Sequence, residues 1–327
     1  MQISSLLQSP AGTALRYAVS LGLLAWLAGR VEWTQFSALR DLDRPLLLAA
    51  VLLAGLAYVL QAWRWQELLR ALDLVLPARW VQAVFWIGQF YNSFLPGGVA
   101  GDAVRFGHLW RARPERQAAA AASLIADRLL GLGALLMLAS LALGLHLTLV
   151  AGGGELQALL GASLAALGLL LTGGWSAART RWWEPLSRRL LGPERAAALH
   201  DAALALGTRH TVLARATALS IGVWLVDFIS LWLVARSVGL ETDVLTMTVA
   251  AAAAYVAAAL PISIGGHGVR EGALVAVLGL LGLGADQPDQ VAQLALVFWA
   301  VSTGWCLFGG LVWLVARPRA VTPGGPV

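Results

Sequence analysis

The chain has 327 residues, of which 59% are hydrophobic and only 13% are charged, and its mean hydropathy is +0.73. Soluble domains usually carry about 25% charged residues, so this composition indicates an integral membrane protein and excludes an ordinary soluble enzyme. The high pI, near 10.3, comes from loop arginines, which set orientation in a membrane protein and do not indicate nucleic-acid binding. A single cysteine, Cys306, excludes an intramolecular disulfide.

Six apolar runs are long enough to cross a bilayer about 30 Å thick. They predict membrane-spanning helices near 12–29, 45–62, 118–146, 156–173, 213–236 and 291–316. Two further apolar regions, 80–116 and 244–283, are interrupted by breaks rich in proline and glycine, at Pro96 and at Pro261. Proline lacks a backbone donor and clashes with the preceding turn, so a helix is predicted to end at each break.

Loops rich in arginine are expected on the cytoplasmic side. Arginines are concentrated in 63–79, in 105–116, in 174–212 and in the C-terminal tail, whereas 147–155 and 284–290 contain none. Since both flanks of the first interrupted region are then cytoplasmic, that region must enter the membrane and return, and the second must do so from outside. An all-α integral membrane protein is predicted, with six transmembrane helices, two re-entrant hairpins and cytoplasmic N- and C-termini.

A simpler alternative makes each hairpin arm a full span, but it would place the arginines of 105–116 outside. The loop 30–44 also carries three arginines and fits the predicted orientation less well.

The two breaks resemble each other. LPGGVAGDAVR (95–105) and LPISIGGHGVR (260–270) share Leu, Pro, Gly, Val and Arg without a gap, at an offset of 165. We therefore expect a single membrane domain, 1–327, built from pseudo-repeats of approximately 1–150 and 151–327 with inverted topology. In transporters with such repeats, the interrupted segments at corresponding positions indicate the substrate site.

The residues after each break are of the types that bind an anion. Glycines allow the chain to reverse, and the next helices are predicted to begin near Gly101 and Gly266, where free amides and the helix dipole favour negative charge. Arg105 and Arg270 stand about one turn further on, and arginine binds phosphate in a bidentate manner. The alternative for Arg105 is that it marks the cytoplasmic end of the hairpin and extends to lipid headgroups.

Other polar residues accompany the breaks. Asp102, His267 and Glu271 are expected to be counter-ions to the hairpin arginines or protonatable carriers. Asn92 is expected to satisfy backbone groups freed by the break, with a ligand role second.

Three ionisable residues lie well away from the ends of predicted spans, where charge is costly and usually paired or functional. Asp127 and Arg128 are adjacent and cannot share a helix face, so each needs a partner elsewhere. For Asp227, pairing with a hairpin arginine and a purely structural interhelical bond are both open. We group these three with Asp102, His267 and Glu271 as candidates for gating or charge coupling.

Catalytic signatures are absent from the sequence: we find no HExxH, GxSxG, P-loop or paired cysteines. No metal or other cofactor is predicted. The segment 174–212 is too short for a nucleotide-binding domain, and its composition predicts an amphipathic interfacial helix.

NSFLPGGVAGDAVR, followed by ADRLLGL and later by LPISIGGHGVREGAL, resembles the flippase-like transmembrane family of lysylphosphatidylglycerol synthetases over nearly the whole chain. The resemblance implies movement of lipids with anionic or polyprenyl-phosphate heads between leaflets. It matches Asn92, Pro96, Gly101, Asp102 and Arg105 to the first motif and Pro261, Gly265, Gly268 and Glu271 to the second. The soluble synthetase domain is not found here, so we expect a stand-alone member that does not synthesise lysylphosphatidylglycerol.

We therefore expect a flippase or scramblase-like transporter of phosphate-bearing lipids in the bacterial inner membrane, not an enzyme. Expected partners are anionic or polyprenyl-phosphate lipids, with a homodimer or a glycosyltransferase partner possible. Two alternatives stay open: an intramembrane enzyme acting on a lipid phosphate, with His267 and Asp227 or Glu271 as acid and base, and a membrane scaffold for a glycosyltransferase.

Overall fold

The computed structural model describes residues 42–95, 99–149, 153–180, 183–260, 263 and 265–316. The predicted span at 12–29 and the two break prolines, Pro96 and Pro261, lie outside the described residues. Within these ranges the chain is helical apart from short turns and contains no strand.

The helices occur in the order that the apolar runs predict. They are α1 (Arg44–Ala71), α2 (Ala78–Phe94), α3 (Ala100–Ala112), α4 (Gln117–Leu149), α5 (Gly154–Thr180), α6 (Glu184–Leu191), α7 (Pro193–Gly207), α8 (His210–Ser237), α9 (Val244–Ala259), α10 (Val269–Leu280), α11 (Leu283–Asp286) and α12 (Pro288–Ala316). A 3₁₀ turn at Pro114–Arg116 joins α3 to α4.

Five helical segments of the described chain are long and apolar enough to cross a membrane: Arg44–Ala71, Pro114–Leu149, Gly154–Gly174, His210–Ser237 and Pro288–Ala316. They coincide with five of the six predicted spans, so candidate membrane-spanning helices are present at those places. Large apolar side chains on these helices, such as Leu48, Leu141 and Leu311, are exposed. Such exposure is expected of a surface that faces lipid and not water.

Both predicted breaks end a helix. α2 stops at Phe94 and α9 at Ala259, each two residues before its proline. α3 packs back against α2, and α10 packs back against α9. Each break therefore joins two helices that lie side by side, so the chain forms two helical hairpins.

The α2–α3 contact depends on glycine. A Cβ atom at Gly101 would lie 2.0 Å from the carbonyl oxygen of Gly88, which is far inside van der Waals contact. The two backbones can approach this closely only because position 101 has no side chain.

Corresponding helices of the two halves have similar lengths. α1 and α8 each contain 28 residues and begin at 44 and 210, which is 166 positions apart. α2 has 17 residues and α9 has 16, and they begin at 78 and 244, again 166 apart. α1 and α8 run antiparallel, because Ser237 accepts from the Asp43 amide at 3.0 Å while Ser230 donates to Ala50 at 2.8 Å.

The hairpins are buried in two different apolar clusters. The first cluster surrounds Trp65, Phe85 and Leu109 and includes α2 and α3. The second surrounds Phe228 and Leu274 and includes α9 and α10.

The segment 174–212 differs from the single interfacial helix that its composition predicts. α5 continues to Thr180, and two short helices, α6 and α7, follow with Gly192 between them at φ 83°. Gly192 and Pro193 interrupt the helix, since glycine adopts this backbone angle freely and proline suits the first position of a new helix. α7 buries Leu199 and Leu206 against the first cluster.

Substituting Gly101 with alanine is expected to destabilise the protein, because the new methyl group would collide with the Gly88 carbonyl. Overpacking of this kind costs about 1–3 kcal/mol. Gly107→Ala on the same helix is the matched control, since a Cβ atom there meets nothing within 4 Å, and it should leave stability unchanged or slightly raised. Thermal unfolding of the detergent-purified variants measures the difference; equal melting temperatures would contradict this account.

Candidate functional site

The ends of the two hairpins touch. The Ser93 hydroxyl lies 2.7 Å from His267 Nε2, which joins the end of α2 to the turn before α10. Gly265, with φ 60°, packs on the same residue, and a Cβ atom there would lie 2.6 Å from the Ser93 carbonyl oxygen. Glycine at 265 thus provides both the left-handed backbone and the room for this contact.

Two adjoining cavities lie beside this contact. The larger, about 430 Å³, is lined by residues of both hairpin ends, including Asn92, Ser93, Gly266, His267, Arg128 and Arg270. The smaller, about 170 Å³, lies between α1, α2, α8, α9 and α12 and is lined by polar residues that include Gln61, Gln89, Asp227 and Arg270. Arg270 lines both cavities and so connects them.

Arg270 is held in place by its neighbours. Its Nε donates to Glu271 at 2.8 Å and its Nη2 donates to Ser302 on α12 at 2.6 Å. The guanidinium also lies 4.2 Å from the centre of the Phe298 ring, a favourable cation–π distance. Glu271 is fully buried, so the pair depends on mutual neutralisation.

Arg105 occupies the corresponding position after the first break but has different surroundings. Its Nη1 lies 3.5 Å from Asp102 and 3.8 Å from Asp127, and its guanidinium is 4.1 Å from the centre of the Phe85 ring. It is 4% exposed and is not among the residues that line either cavity. The predicted pair of phosphate half-sites is therefore unequal in this structure.

Asp127 and Arg128 find the separate partners that their adjacency requires. Asp127 accepts from Arg64 at 2.7 Å, and Arg64 also donates to Ser220 on α8 at 3.0 Å. Arg128 contacts Asp102 on α3 and faces the larger cavity. The cationic residues of that cavity are thus Arg128 and Arg270.

The helix starts after the breaks are already capped. The Gly101 amide donates to Asn92 Oδ1 at 2.8 Å, which agrees with the predicted role of Asn92 in satisfying freed backbone groups. α10 begins at Val269, three residues later than predicted from Gly266, and the Gly268 amide donates to Glu271 Oε2 at 2.8 Å. These two amides serve intramolecular acceptors, so the anion-binding capacity of the site resides mainly in its arginines.

Asp227 has a different environment from Asp127. It lines the smaller cavity together with Arg270, the hairpin arginine that we considered as its partner. In the part of the chain that the structure describes, Asp227 forms no ion pair and no hydrogen bond through its carboxylate, and Arg270 pairs with Glu271 instead.

Several residues of the site were not singled out from the sequence. Arg64 looked like a loop arginine next to an apolar run, yet α1 continues to Ala71 and buries it. Ser302 belongs to no motif, yet it accepts a hydrogen bond from Arg270. Gln61, Gln89 and Tyr255 carry no motif. Positions 89 and 255 differ by the same 166 positions that separate the helix starts, but the motif match in the sequence has an offset of 165 and does not align them.

The described residues contain no group of three histidine, cysteine, aspartate or glutamate side chains that could hold a metal ion. The cavities present guanidinium, amide and hydroxyl groups, which suit an anionic group with several oxygen acceptors.

Removing the charge of Asp127 is expected to cost about 3 kcal/mol of stability, because Arg64 and Arg105 would lose their shared buried counter-ion. Asp127→Asn keeps the shape of the side chain and tests the charge alone. Glu67→Gln is the control: it breaks the Arg70–Glu67 pair, in which the Arg70 side chain is 51% exposed, and should cost less than about 1 kcal/mol. Thermal unfolding in detergent compares them, and similar losses for both variants would contradict the importance of this network.

The family described as lysylphosphatidylglycerol synthase TM region matches residues 13–308, which is most of the chain. No curated protein sequence matches the chain significantly.

Proposed function

The chain belongs to the lysylphosphatidylglycerol synthase transmembrane family, and on that premise we propose that it moves a lipid with a phosphate-bearing headgroup between the leaflets of the bacterial inner membrane. The observation that carries the proposal is a polar cavity, with two arginines on its wall, at the meeting point of two hairpins in an otherwise apolar helical protein.

In the proposed complex the headgroup occupies the larger cavity. Arg128 and Arg270 would contact the phosphate, and Asn92 and Ser302 would offer polar groups beside it. The cavity's size of about 430 Å³ falls in the range of small-molecule sites. Moving a phosphate and guanidinium groups out of water is costly, so nearly complete pairing is required, while the acyl chains remain in the bilayer.

The repeat supports alternating access. Equivalent helices that run antiparallel, as α1 and α8 do, are what an axis in the membrane plane would produce. Combined with the arginine distribution of the loops, this favours hairpins that dip into the membrane from opposite faces. We infer that the Ser93–His267 contact breaks as the two halves rock against each other. The cavity then opens to one side of the membrane at a time.

The transport proposal predicts that Arg270→Gln and Arg128→Gln slow lipid movement about tenfold or more, since a charge-assisted hydrogen bond contributes roughly 1.5–3 kcal/mol. The measurement is dithionite quenching of fluorescent phosphatidylglycerol in proteoliposomes. Arg116→Gln, in the exposed turn before α4, should transport normally.

Arg270→Gln also leaves Glu271 unpaired, so the folding of each variant is checked by gel filtration; Arg128→Gln, whose side chain is 48% exposed, keeps the test valid. The recovered lipid should be chemically intact. Turnover to a new lipid would favour the enzyme alternative, and equal rates for all variants would reject the site.

Cysteine labelling tests the orientation of the hairpins. In a Cys306→Ser background, we expect Arg79→Cys and Glu115→Cys to react with an impermeant maleimide from the same side of the membrane. Glu155→Cys and Asp286→Cys should react from the other side. If positions 79 and 115 were labelled from opposite sides, α2 and α3 would amount to a full crossing and the first re-entrant hairpin would be ruled out.

A further inference from the structure

Asp227 is a carboxylate deep in a helix predicted to span the membrane. It lies 17 residues after the first residue of α8 and 10 before the last, which places it about 26 Å and about 15 Å from the two ends. It lines the smaller cavity, and no donor in the described structure satisfies its carboxylate. A carboxylate in such a position is costly while charged, and its cavity gives it room to exchange a proton.

Polar and charged side chains of five other helices line the cavity together with this carboxylate. They include Tyr58 and Gln61 on α1, Gln89 on α2, Tyr255 on α9, Arg270 on α10 and Ser302 on α12. On α4, Asp127 is occupied by Arg64 and Arg105. Arg270 is therefore the only cation lining this cavity among the described residues, and its charge is already shared with the buried Glu271.

A phosphate next to Arg270 would make the local charge more negative. Glu271 and Arg270 neutralise each other, so a bound phosphodiester would face the charged form of Asp227 across a region of low dielectric. Like charges that close together are strongly unfavourable there. Glu271 cannot relieve the repulsion easily, because its two oxygens accept from Arg270 and from the Gly268 amide.

We propose that Asp227 is a proton-binding site linked to the headgroup site, so that a phosphate-bearing lipid and one proton bind and move together. The proposal rests on the proposed function and adds its coupling ion. An anionic headgroup with one added proton crosses as a neutral pair, which avoids moving net charge through the membrane potential. A bacterial proton gradient would then drive the lipid from the outer to the cytoplasmic leaflet.

Thermodynamic linkage predicts the direction in which the Kd for the lipid changes with pH. If lipid binding takes up one proton, the apparent Kd falls by up to roughly tenfold for each unit that the pH decreases through the titration. The phosphodiester stays ionised from about pH 5 to about pH 9, so its own charge does not change over that range. The Asp227→Asn substitution mimics the protonated acid, so this variant should bind the lipid tightly at every pH.

The experiment is calorimetric titration of the full chain in detergent with a water-soluble short-chain phosphatidylglycerol, in buffers of different ionisation enthalpy and at several pH values. For the unaltered protein we expect net proton uptake on lipid binding, a fraction of a proton at neutral pH that rises towards one per lipid at mildly alkaline pH. Asp227→Asn should show almost no uptake and a pH-independent Kd close to the low-pH value of the unaltered protein. Asp201→Asn, an exposed acid on α7, should behave like the unaltered protein.

His267 also lines the larger cavity, so His267→Gln separates the two titratable groups. Proton uptake should persist in His267→Gln. Uptake that persists in Asp227→Asn, or that disappears in His267→Gln alone, would overturn the proposal. Tight but pH-independent binding by the unaltered protein would reject the linkage and leave the lipid site standing. No binding at any pH would reject both.

Discussion

A buried charge between membrane helices must be met by an opposite charge or neutralised by a proton, because neither water nor lipid can solvate it there. This constraint explains how the helices of the described structure are held together. Arg64 on α1 forms an ion pair with Asp127 on α4 and donates a hydrogen bond to Ser220 on α8, so one guanidinium links three long helices. The same requirement pairs Arg270 with the buried Glu271, and the hydrogen bond from Arg270 to Ser302 links the second hairpin to α12.

The two hairpin arginines follow similar motifs but have unequal environments. Arg105 is enclosed by two carboxylates and an aromatic ring, whereas Arg270 lines both cavities. In the proposed transport cycle, such inequality between equivalent positions is expected of any single conformation, because only one side of an alternating-access protein is open at a time.

In the proposed cycle, Arg128 would contact the phosphate and Asp227 would bind the proton. Arg128 contacts Asp102 at the edge of the larger cavity, so an arriving phosphate would compete with that carboxylate. Asp227 lines the smaller cavity, which shares Arg270 with the larger one. Phosphate and proton would thus bind in two cavities that have one guanidinium in common.

The sequence by itself determined the membrane class, five of the spanning helices, the breaks before Pro96 and Pro261 and the family. These depend on composition, on run length and on residues that are close together in the chain. The partners of Asp127 and Arg128, the cap that Asn92 provides for Gly101 and the choice of Arg128 over Arg105 for the cavity wall were decided by the tertiary structure alone. Each joins residues on different helices, and the rotation of a helix about its axis is set by packing in a chain whose helices are apolar nearly all round.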